Sequence, residues 1–242
     1  MTPAKDVLLI DAGNTEVKLC LVHDGKLGEI TRCGIDKLRE QIEVMHASEI
    51  LKICTSVLSE EANQLHLKSL QPIEIYHSET PVPLQVSYSP RHSLGMDRLS
   101  NASAIHNRKR TQVAVSIDIG TCIKFDVVEE NTYIGGSISP GIELRYKAMH
   151  EFTGKLPLLT EKKETDLIGK NTFECMSSGV MNAIQAEIDG MITRYRNMYP
   201  DISFYVTGGD ANYFDFEGKN DIFALENLTL EGLYMIYLHN AS

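Results

Sequence analysis

Two short segments repeat one arrangement of residue types: an acid, a glycine and a threonine that directly follow an apolar run. Residues 10–22 read IDAGNTEVKLCLV, and residues 117–128 read IDIGTCIKFDVV. Glycine lets a backbone approach a ligand closely, and the N–H groups of a tight turn can converge on an anion. The repeat therefore predicts two phosphate-binding turns. With Asn14 left out, the aligned pairs are Asp11 with Asp118, Gly13 with Gly120, Thr15 with Thr121, and Lys18 with Lys124.

The side chains of the two turns suit the same chemistry. Thr15 and Thr121 can add hydroxyl donors, and Asn14 can add an amide donor. The carboxylates of Asp11 and Asp118 would repel phosphate unless a metal ion or its water shell lay between them, which is the usual way in which magnesium is held. One such segment could be an ordinary β-turn. Two copies with matching apolar flanks favour a ligand site at both.

The composition is that of a soluble enzyme and argues against a nucleic-acid-binding protein or a zinc protein. The chain has 242 residues, 43% of them hydrophobic, and a formal net charge of −10. This charge argues against a nucleic-acid-binding surface, and the basic cluster at 108–110 is interpreted as a helix C-terminus. The histidines and scattered cysteines lack zinc-ligand spacing. No signal peptide or membrane span is recognised, so we expect a cytoplasmic protein.

Apolar periodicity predicts an α/β chain whose two halves begin alike. Three strands followed by alternating helices and strands is the order of an actin-like half, and differs from that of a Rossmann domain. The predicted domains are residues 1–110 and 111–242. In the first half, strands are expected at 6–11, 17–23, 28–33, 50–57 and 73–77, and helices at 36–45, 60–70 and 97–107. In the second half, strands are expected at 113–118, 122–128, 132–138 and from 203, and helices from 143, at 174–198 and at 228–238.

The predicted helix 174–198 carries an apolar stripe at helical spacing. Such a stripe can pack against the core of its own chain or against a second subunit, and the sequence leaves both alternatives open. Its members are Met176, Val180, Met181, Ile184, Ile188, Met191, Ile192 and Tyr195.

Four further segments carry candidate site residues. Gly95-Met96-Asp97-Arg98 places an acid and a base at a helix start, where the acid could also serve only as a cap. Residues 135–141, including Gly136, form a glycine-rich connection between a strand and a helix. Residues 169–172 resemble the end of a P-loop only superficially, and no complete P-loop or G-x-G-x-x-G motif occurs. Gly208 and Gly209 follow a strand, where a flat adenine ring could approach the backbone.

In this order and at these distances, the segments resemble those of type III pantothenate kinase, a branch of the acetate and sugar kinase/Hsc70/actin superfamily. The G-x-D-R segment at 95–98 is the most diagnostic. The resemblance implies an α/β protein of two duplicated actin-like (ribonuclease H-like) domains with a nucleotide cleft between them. The chain departs from the family pattern at Glu16, Cys122 and Lys124. At position 124 the family more commonly has a small polar residue.

The resemblance also implies roles for individual residues. Asp97 would be the catalytic base, Asp118 would bind a monovalent cation, K⁺ or NH₄⁺, and Asp11 would hold Mg²⁺ directly or through water. Nucleotide phosphates and adenine would be bound by Asp11, Gly13, Asn14, Thr15, Lys18, Gly120, Thr121, Gly208 and Gly209. Substrate would be bound by Tyr88, Gly95, Met96, Asp97, Arg98, Gly136 and Thr172.

The implied reaction is ATP-dependent phosphorylation of the 4′ hydroxyl of pantothenate, the first step to coenzyme A. The resemblance further implies a homodimer with the substrate site at the subunit interface. The sequence leaves open whether Thr172 acts in its own chain or is contributed by the partner. Two alternatives stay open: another kinase of the superfamily that acts on a sugar or acetate, and a non-catalytic regulator that kept the fold. The acidic surface argues against DNA binding by such a regulator.

Overall fold

The computed structural model describes residues 4–163, 165–216 and 221–241. These residues form two β-sheets with α-helices packed on them. The first part of the chain forms β1 Asp6–Ala12, β2 Val17–His23, β3 Lys26–Cys33, α1 Leu38–Val44, β4 Leu51–Ser56, α2 Glu60–Ala62, β5 Ile73–Tyr76, β6 Gln85–Val86 and α3 Met96–Arg108. The rest forms β7 Val113–Ile119, β8 Cys122–Glu129, β9 Thr132–Pro140, α4 Ile142–Glu151, α5 Thr172–Met198, β10 Ile202–Thr207, β11 Ile222–Ala224 and α6 Leu228–Ala241.

The strand order of the two sheets confirms the predicted duplication. The first sheet has the order β3-β2-β1-β4-β5, and the second has the order β11-β10-β7-β8-β9-β6. If β7 to β11 are matched in turn with β1 to β5, the two orders agree. Corresponding strand pairs also run in the same relative direction, because β1 is parallel to β4 and β7 is parallel to β10. The additional strand, β6, pairs in parallel with the start of β9.

Local sequence explains the first hairpin. Asp24 and Gly25 connect β2 to β3 with positive φ angles of 45° and 78°, which is the backbone of a two-residue hairpin turn and favours the Asp-Gly pair. The turn thus lies between the strands that the sequence predicted at 17–23 and 28–33. β1 is a nearly continuous apolar run and is buried along most of its length, as expected for a strand that is covered on both faces.

Contacts divide the chain into two compact units. One consists of Met1–Arg108, Val128–Gly135 and Asn227–Ser242, and the other of Lys109–Val127 and Gly136–Glu226. This grouping differs from the predicted domains 1–110 and 111–242 in three segments, since residues 109–110 join the second unit and residues 128–135 and 227–242 join the first.

The core of the first unit lies on both sides of its sheet. On one side, Leu8, Ile10 and Leu19 pack with Leu38 and Ile42 of α1. On the other side, α6 packs on α3 and contacts β1 and β4. The pairing of α3 with α6 is the reason that the C-terminal helix belongs to this unit.

The long helix α5 supplies much of the core of the second unit. Val180, Met181, Ile184, Ile188 and Ile192 pack into one cluster with residues of β7, β8 and β10. Met191 and Tyr195 pack against the same cluster, and Met176 is buried. The apolar stripe is thus used within the chain, which is the first of the two alternatives. Among the residues that the structure describes, no helix combines the length and apolar character needed to cross a bilayer.

The close packing of α3 on α6 depends on Gly232. A Cβ atom at this position would overlap the backbone of Ser100 on α3, so we expect Gly232→Ala to lower the free energy of unfolding by about 1–3 kcal/mol through overpacking. Gly190 is the matched control, because it lies in α5 with open space around it. Gly190→Ala should raise the free energy of unfolding by about 0.5–1 kcal/mol. Urea denaturation measures both values, and equal effects would contradict the packing argument.

Candidate active site

The first predicted phosphate turn lies at the end of β1. The N–H of Gly13 donates to the carbonyl oxygen of Glu16 at 3.1 Å, which closes a turn whose next residues, Asn14 and Thr15, are exposed. Asp11 lies opposite Lys18 in the antiparallel register of β1 and β2. The predicted nucleotide-binding residues of the first half therefore lie together at one edge of the first sheet.

Glu16 departs from the family pattern by adding an acid to this turn. Its Oε1 atom lies 3.6 Å from Nε of Arg32 on the neighbouring strand β3. Both side chains are more than one third exposed, so the ion pair contributes little to stability. It does compensate the added negative charge beside the turn.

The second predicted phosphate turn joins β7 to β8 and is held by neighbouring backbone. The N–H of Gly120 donates to the carbonyl of Cys122 at 3.1 Å, and the N–H of Gly141 donates to the carbonyl of Thr121 at 3.0 Å. A Cβ atom on Gly141 would overlap the Gly120 carbonyl. Glycine at 141 is thus required for the α4 end of the glycine-rich connection to lie against this turn.

The turn after β10 reaches the same place. Thr207 lies opposite Asp118 in the parallel register of β10 and β7, and the N–H of Asp210 donates to the carbonyl of Ile119 at 2.9 Å. Gly208 has a φ of +106°, and a Cβ atom there would overlap the backbone of Ile119, whereas Gly209 has open space beside it. The structure therefore brings the predicted residues Gly120, Thr121, Gly208 and Gly209 together.

Asp118 forms an ion pair with Lys124. The Lys124 Nζ atom lies 2.7 Å from Oδ2 of Asp118, and the two side chains are 17% and 14% exposed. A K⁺ or NH₄⁺ ion at this carboxylate oxygen would have to share the place with the ammonium group. The residues that this chain carries therefore do not fit the monovalent cation that the resemblance implies at Asp118.

Lys162 links the turn after β10 to α4. Its Nζ atom lies 2.8 Å from Oδ1 of Asp210 and 2.9 Å from Oε1 of Glu143. Burial alone would lower the pKa of Lys162, but the hydrogen bonds to the two carboxylates outweigh it and raise that pKa. The hydrogen bond from Lys162 lowers the pKa of Glu143. Sequence reasoning missed this residue, because it lies in an irregular polar segment without a motif.

The diagnostic G-x-D-R segment begins α3, with Asp97 in the first turn. Arg98 is buried, and its guanidinium carbon lies 5.8 Å from the ring centroid of Tyr88 and 5.9 Å from that of Tyr133. These distances suit cation–π contacts. The structure therefore brings Tyr88 and Arg98 together, as substrate-site residues should be. Tyr133 was missed, because only the pairing of β6 with β9 places it there.

The two remaining predicted substrate residues lie in the second unit. Gly136 allows β9 to pass close to β8, since a Cβ atom there would overlap the carbonyl of Phe125. Thr172 is the exposed first residue of α5. The side chain of Asn171 accepts from the N–H of Glu174 at 3.0 Å, and the carboxylate of Glu174 accepts from the N–H of Lys170 at 2.7 Å. Residues 169–172 thus form a helix cap.

Comparison with known proteins decides the family. A family model described as type III pantothenate kinase matches residues 7–194. The type III pantothenate kinase of Christiangramia forsetii is 35% identical over 96% of this chain and 98% of its own length. That of Phocaeicola vulgatus is 36% identical over the same shares of the two chains.

The chain belongs to the type III pantothenate kinase family. A solved structure from Campylobacter jejuni, of a conserved protein assigned to the Baf family of transcriptional activators, covers 96% of this chain and 98% of its own at 23% identity. Its TM-score of 0.62 supports the fold alone. The predicted fold class is confirmed by the matching strand orders of the two sheets. Enzymes of this kinase family use ATP and a divalent metal ion.

The ion pairs of Lys162 predict a pH dependence. Because the pKa of Glu143 is lowered in the folded protein, the ionised carboxylate contributes to the free energy of unfolding at pH values above the ordinary carboxyl pKa. This contribution is lost as the pH falls through the lowered pKa. Because the pKa of Lys162 is raised, its ammonium group contributes to the free energy of unfolding at neutral pH, and this contribution is lost only at strongly alkaline pH. Lys162→Met should therefore lower the free energy of unfolding by about 1 kcal/mol at pH 7, with the same difference near pH 9 and a smaller one below pH 4.5.

The measurement is urea denaturation of wild type and Lys162→Met across this pH range. Lys163→Met is the control, because the Lys163 side chain is 60% exposed and its loss should cost little at any pH. A difference that persisted unchanged into acid would contradict the assignment of these ion pairs.

Proposed function

We propose that this protein transfers the γ-phosphoryl group of ATP to the 4′ hydroxyl of pantothenate, the first step to coenzyme A. The observation that carries the proposal is the match to the type III pantothenate kinases over nearly the whole chain. The phosphate-type turn at an edge of each sheet supports it. Phosphoryl transfer depends mainly on positioning and charge stabilisation, and both turns present backbone and polar side chains for that purpose.

Asp97 is the proposed catalytic base and takes the proton of the pantothenate hydroxyl. It lies in the first turn of α3, beside Arg98, whose buried guanidinium fixes that turn between two aromatic rings. Gly95 and Met96 precede it, and we assign this segment and Tyr88 to the substrate. The immobilised helix start gives the base a defined position, which general-base catalysis requires. Gly136 and Thr172 complete the proposed substrate contacts.

Each of the two turns is proposed to bind nucleotide phosphate. Asn14, Thr15 and Lys18 bind phosphate in the first unit, and Gly120 and Thr121 do so in the second. Gly208 packs against the backbone of Ile119, next to Gly120, whereas Gly209 has open space beside it, where a flat ring could approach the backbone. A divalent ion supplies charge neutralisation at the phosphates, and Asp11 would hold it through water. We assign no K⁺ or NH₄⁺ to Asp118, because Lys124 already pairs with that carboxylate.

A homodimer with a shared substrate site is part of the proposal, and the protein is placed in the cytoplasm with no nucleic-acid partner. The stripe on α5 no longer supports a dimer, since it is packed internally. Support comes instead from the residues beside Thr172. Leu167, Ile168 and Phe173 are 78%, 76% and 61% exposed, and neighbouring exposed apolar side chains are typical of interaction surfaces.

Replacement of Asp97 tests the catalytic assignment. Asp97→Asn keeps the shape of the side chain but removes the basic oxygen, so kcat should fall by about 10²–10⁴-fold while the Kd for ADP changes little. Steady-state kinetics and calorimetric titration measure the two quantities. Asp36→Asn is the matched control, because Asp36 is exposed in the first turn of another helix. If Asp97→Asn keeps the wild-type kcat, Asp97 only stabilises the helix start.

Mixing two inactive variants tests the shared site. If Asp97 of one subunit and Thr172 of its partner serve one substrate, a heterodimer of Asp97→Asn and Thr172→Ala contains one intact site. Random mixing should then restore about a quarter of the wild-type rate, since half of the dimers are mixed and each has one working site. The assay compares the rate after dissociation and reassociation with that of each variant alone. A rate no higher than the average of the two variants would place both residues in the same subunit's site.

A further inference from the structure

The ion pair between Asp118 and Lys124 has features that a chance surface pair lacks. Asp118 is the last residue but one of β7, just before the second phosphate turn, and Lys124 lies on the return strand β8. Both side chains are more than four fifths buried, and the nitrogen lies 2.7 Å from the carboxylate oxygen. Breaking a buried pair by removing one partner leaves an uncompensated charge, which is costly. Lys124 therefore compensates the charge of Asp118.

The negative charge near the second phosphate turn explains the role of the ion pair between Asp118 and Lys124. Asp118 precedes Gly120 and Thr121, so its carboxylate lies next to the place where we propose that nucleotide phosphate binds. The chain already has a formal net charge of −10, and an unpaired carboxylate there would repel the phosphates. A cation at Asp118 would offset this repulsion. The chain can take it from solution or supply it itself.

The alkylammonium group of lysine is a compact, strongly hydrated positive charge, and it belongs to the same chemical class as the ammonium ion. Lys124 reaches Asp118 from within the second unit through a stem that is itself largely buried. The ammonium group is thus present at a fixed position in every molecule, without any dependence on salt. A free monovalent ion would have to displace it to bind Oδ2.

We propose that Lys124 is a built-in monovalent cation: its ammonium group neutralises Asp118 beside the second phosphate turn, so nucleotide binding needs no K⁺ or NH₄⁺. Lys124 is in this sense a positioning residue, which acts on the phosphates through Asp118. The inference rests on the proposed function to the extent that it assumes a nucleotide at this turn. It does not depend on which hydroxyl compound is the phosphoryl acceptor.

The test measures the Kd for Mg-ADP by calorimetric titration, without pantothenate, in KCl, NaCl and tetramethylammonium chloride at one ionic strength. Wild type should bind equally well, within about twofold, in all three salts. Lys124→Thr leaves space and an oxygen ligand for a free ion. It should bind about 10–100-fold more weakly in tetramethylammonium, the effect of losing one charge-assisted contact, and should recover most of the affinity in KCl.

Three comparisons make the result specific. Lys163→Thr removes an exposed lysine of the same unit and should stay indifferent to the salt. Asp118→Asn combined with Lys124→Thr removes the charge that needs compensation, and should lose the dependence on K⁺. The Tm of Lys124→Thr should rise in KCl relative to tetramethylammonium chloride, whereas that of wild type should not, which reports the ion independently of the nucleotide.

Wild-type affinity that falls about tenfold or more when K⁺ is replaced would overturn the proposal. Folded Lys124→Thr that is not restored by K⁺ would also overturn it, since the lysine would then bind phosphate directly. If Lys124→Thr does not fold, the Kd of wild type for Mg-ADP in the three salts still tests the proposal. If wild type bound no nucleotide in any salt, the proposed function itself would fail, and this inference with it.

Discussion

Compensation of negative charge is the constraint on which the candidate site depends. The chain is acidic, and each proposed phosphate turn lies next to a carboxylate near the end of a buried strand, Asp11 in β1 and Asp118 in β7. Each half meets this demand with a lysine on the return strand, Lys18 opposite Asp11 and Lys124 paired with Asp118. The arrangement follows from the β-hairpin itself, because antiparallel pairing places a residue of the return strand next to the acid that ends the first strand.

The second constraint is close approach of backbone. Around the second turn, three chain segments meet at distances that leave no room for a Cβ atom at Gly141 or Gly208. This packing holds the peptide groups of residues 119–121 in fixed directions through hydrogen bonds from Gly141 and Asp210. Lys162 forms ion pairs with both Asp210 and Glu143, so these contacts extend from the turn to α4. A preorganised set of N–H groups is what stabilisation of phosphate charge requires.

Much of this could be predicted from the sequence, because local patterns encode it. The duplicated D-x-G turn predicted two similar halves, and the two sheets have matching strand orders. The helix start at Gly95-Met96-Asp97-Arg98 was recognised from its residue types. The short strands β6 and β11 were missed, since two or three residues are too few to show alternation. The place of α6 was missed for another reason: its partner α3 lies about half the chain away, and a glycine that fits against Ser100 leaves no local signal. Lys124 was recognised as a departure, but only the structure shows that its ammonium group pairs with Asp118.

The activity of this chain is the phosphorylation of pantothenate. The most direct measurement incubates the purified protein with Mg-ATP and, separately, pantothenate, acetate and a panel of sugars, and identifies products by mass spectrometry and ³¹P NMR. We expect ADP to form together with a single phosphate monoester, on the primary 4′ hydroxyl of pantothenate. Turnover of a sugar or of acetate without turnover of pantothenate would contradict the account, and so would the absence of ATP turnover with every acceptor.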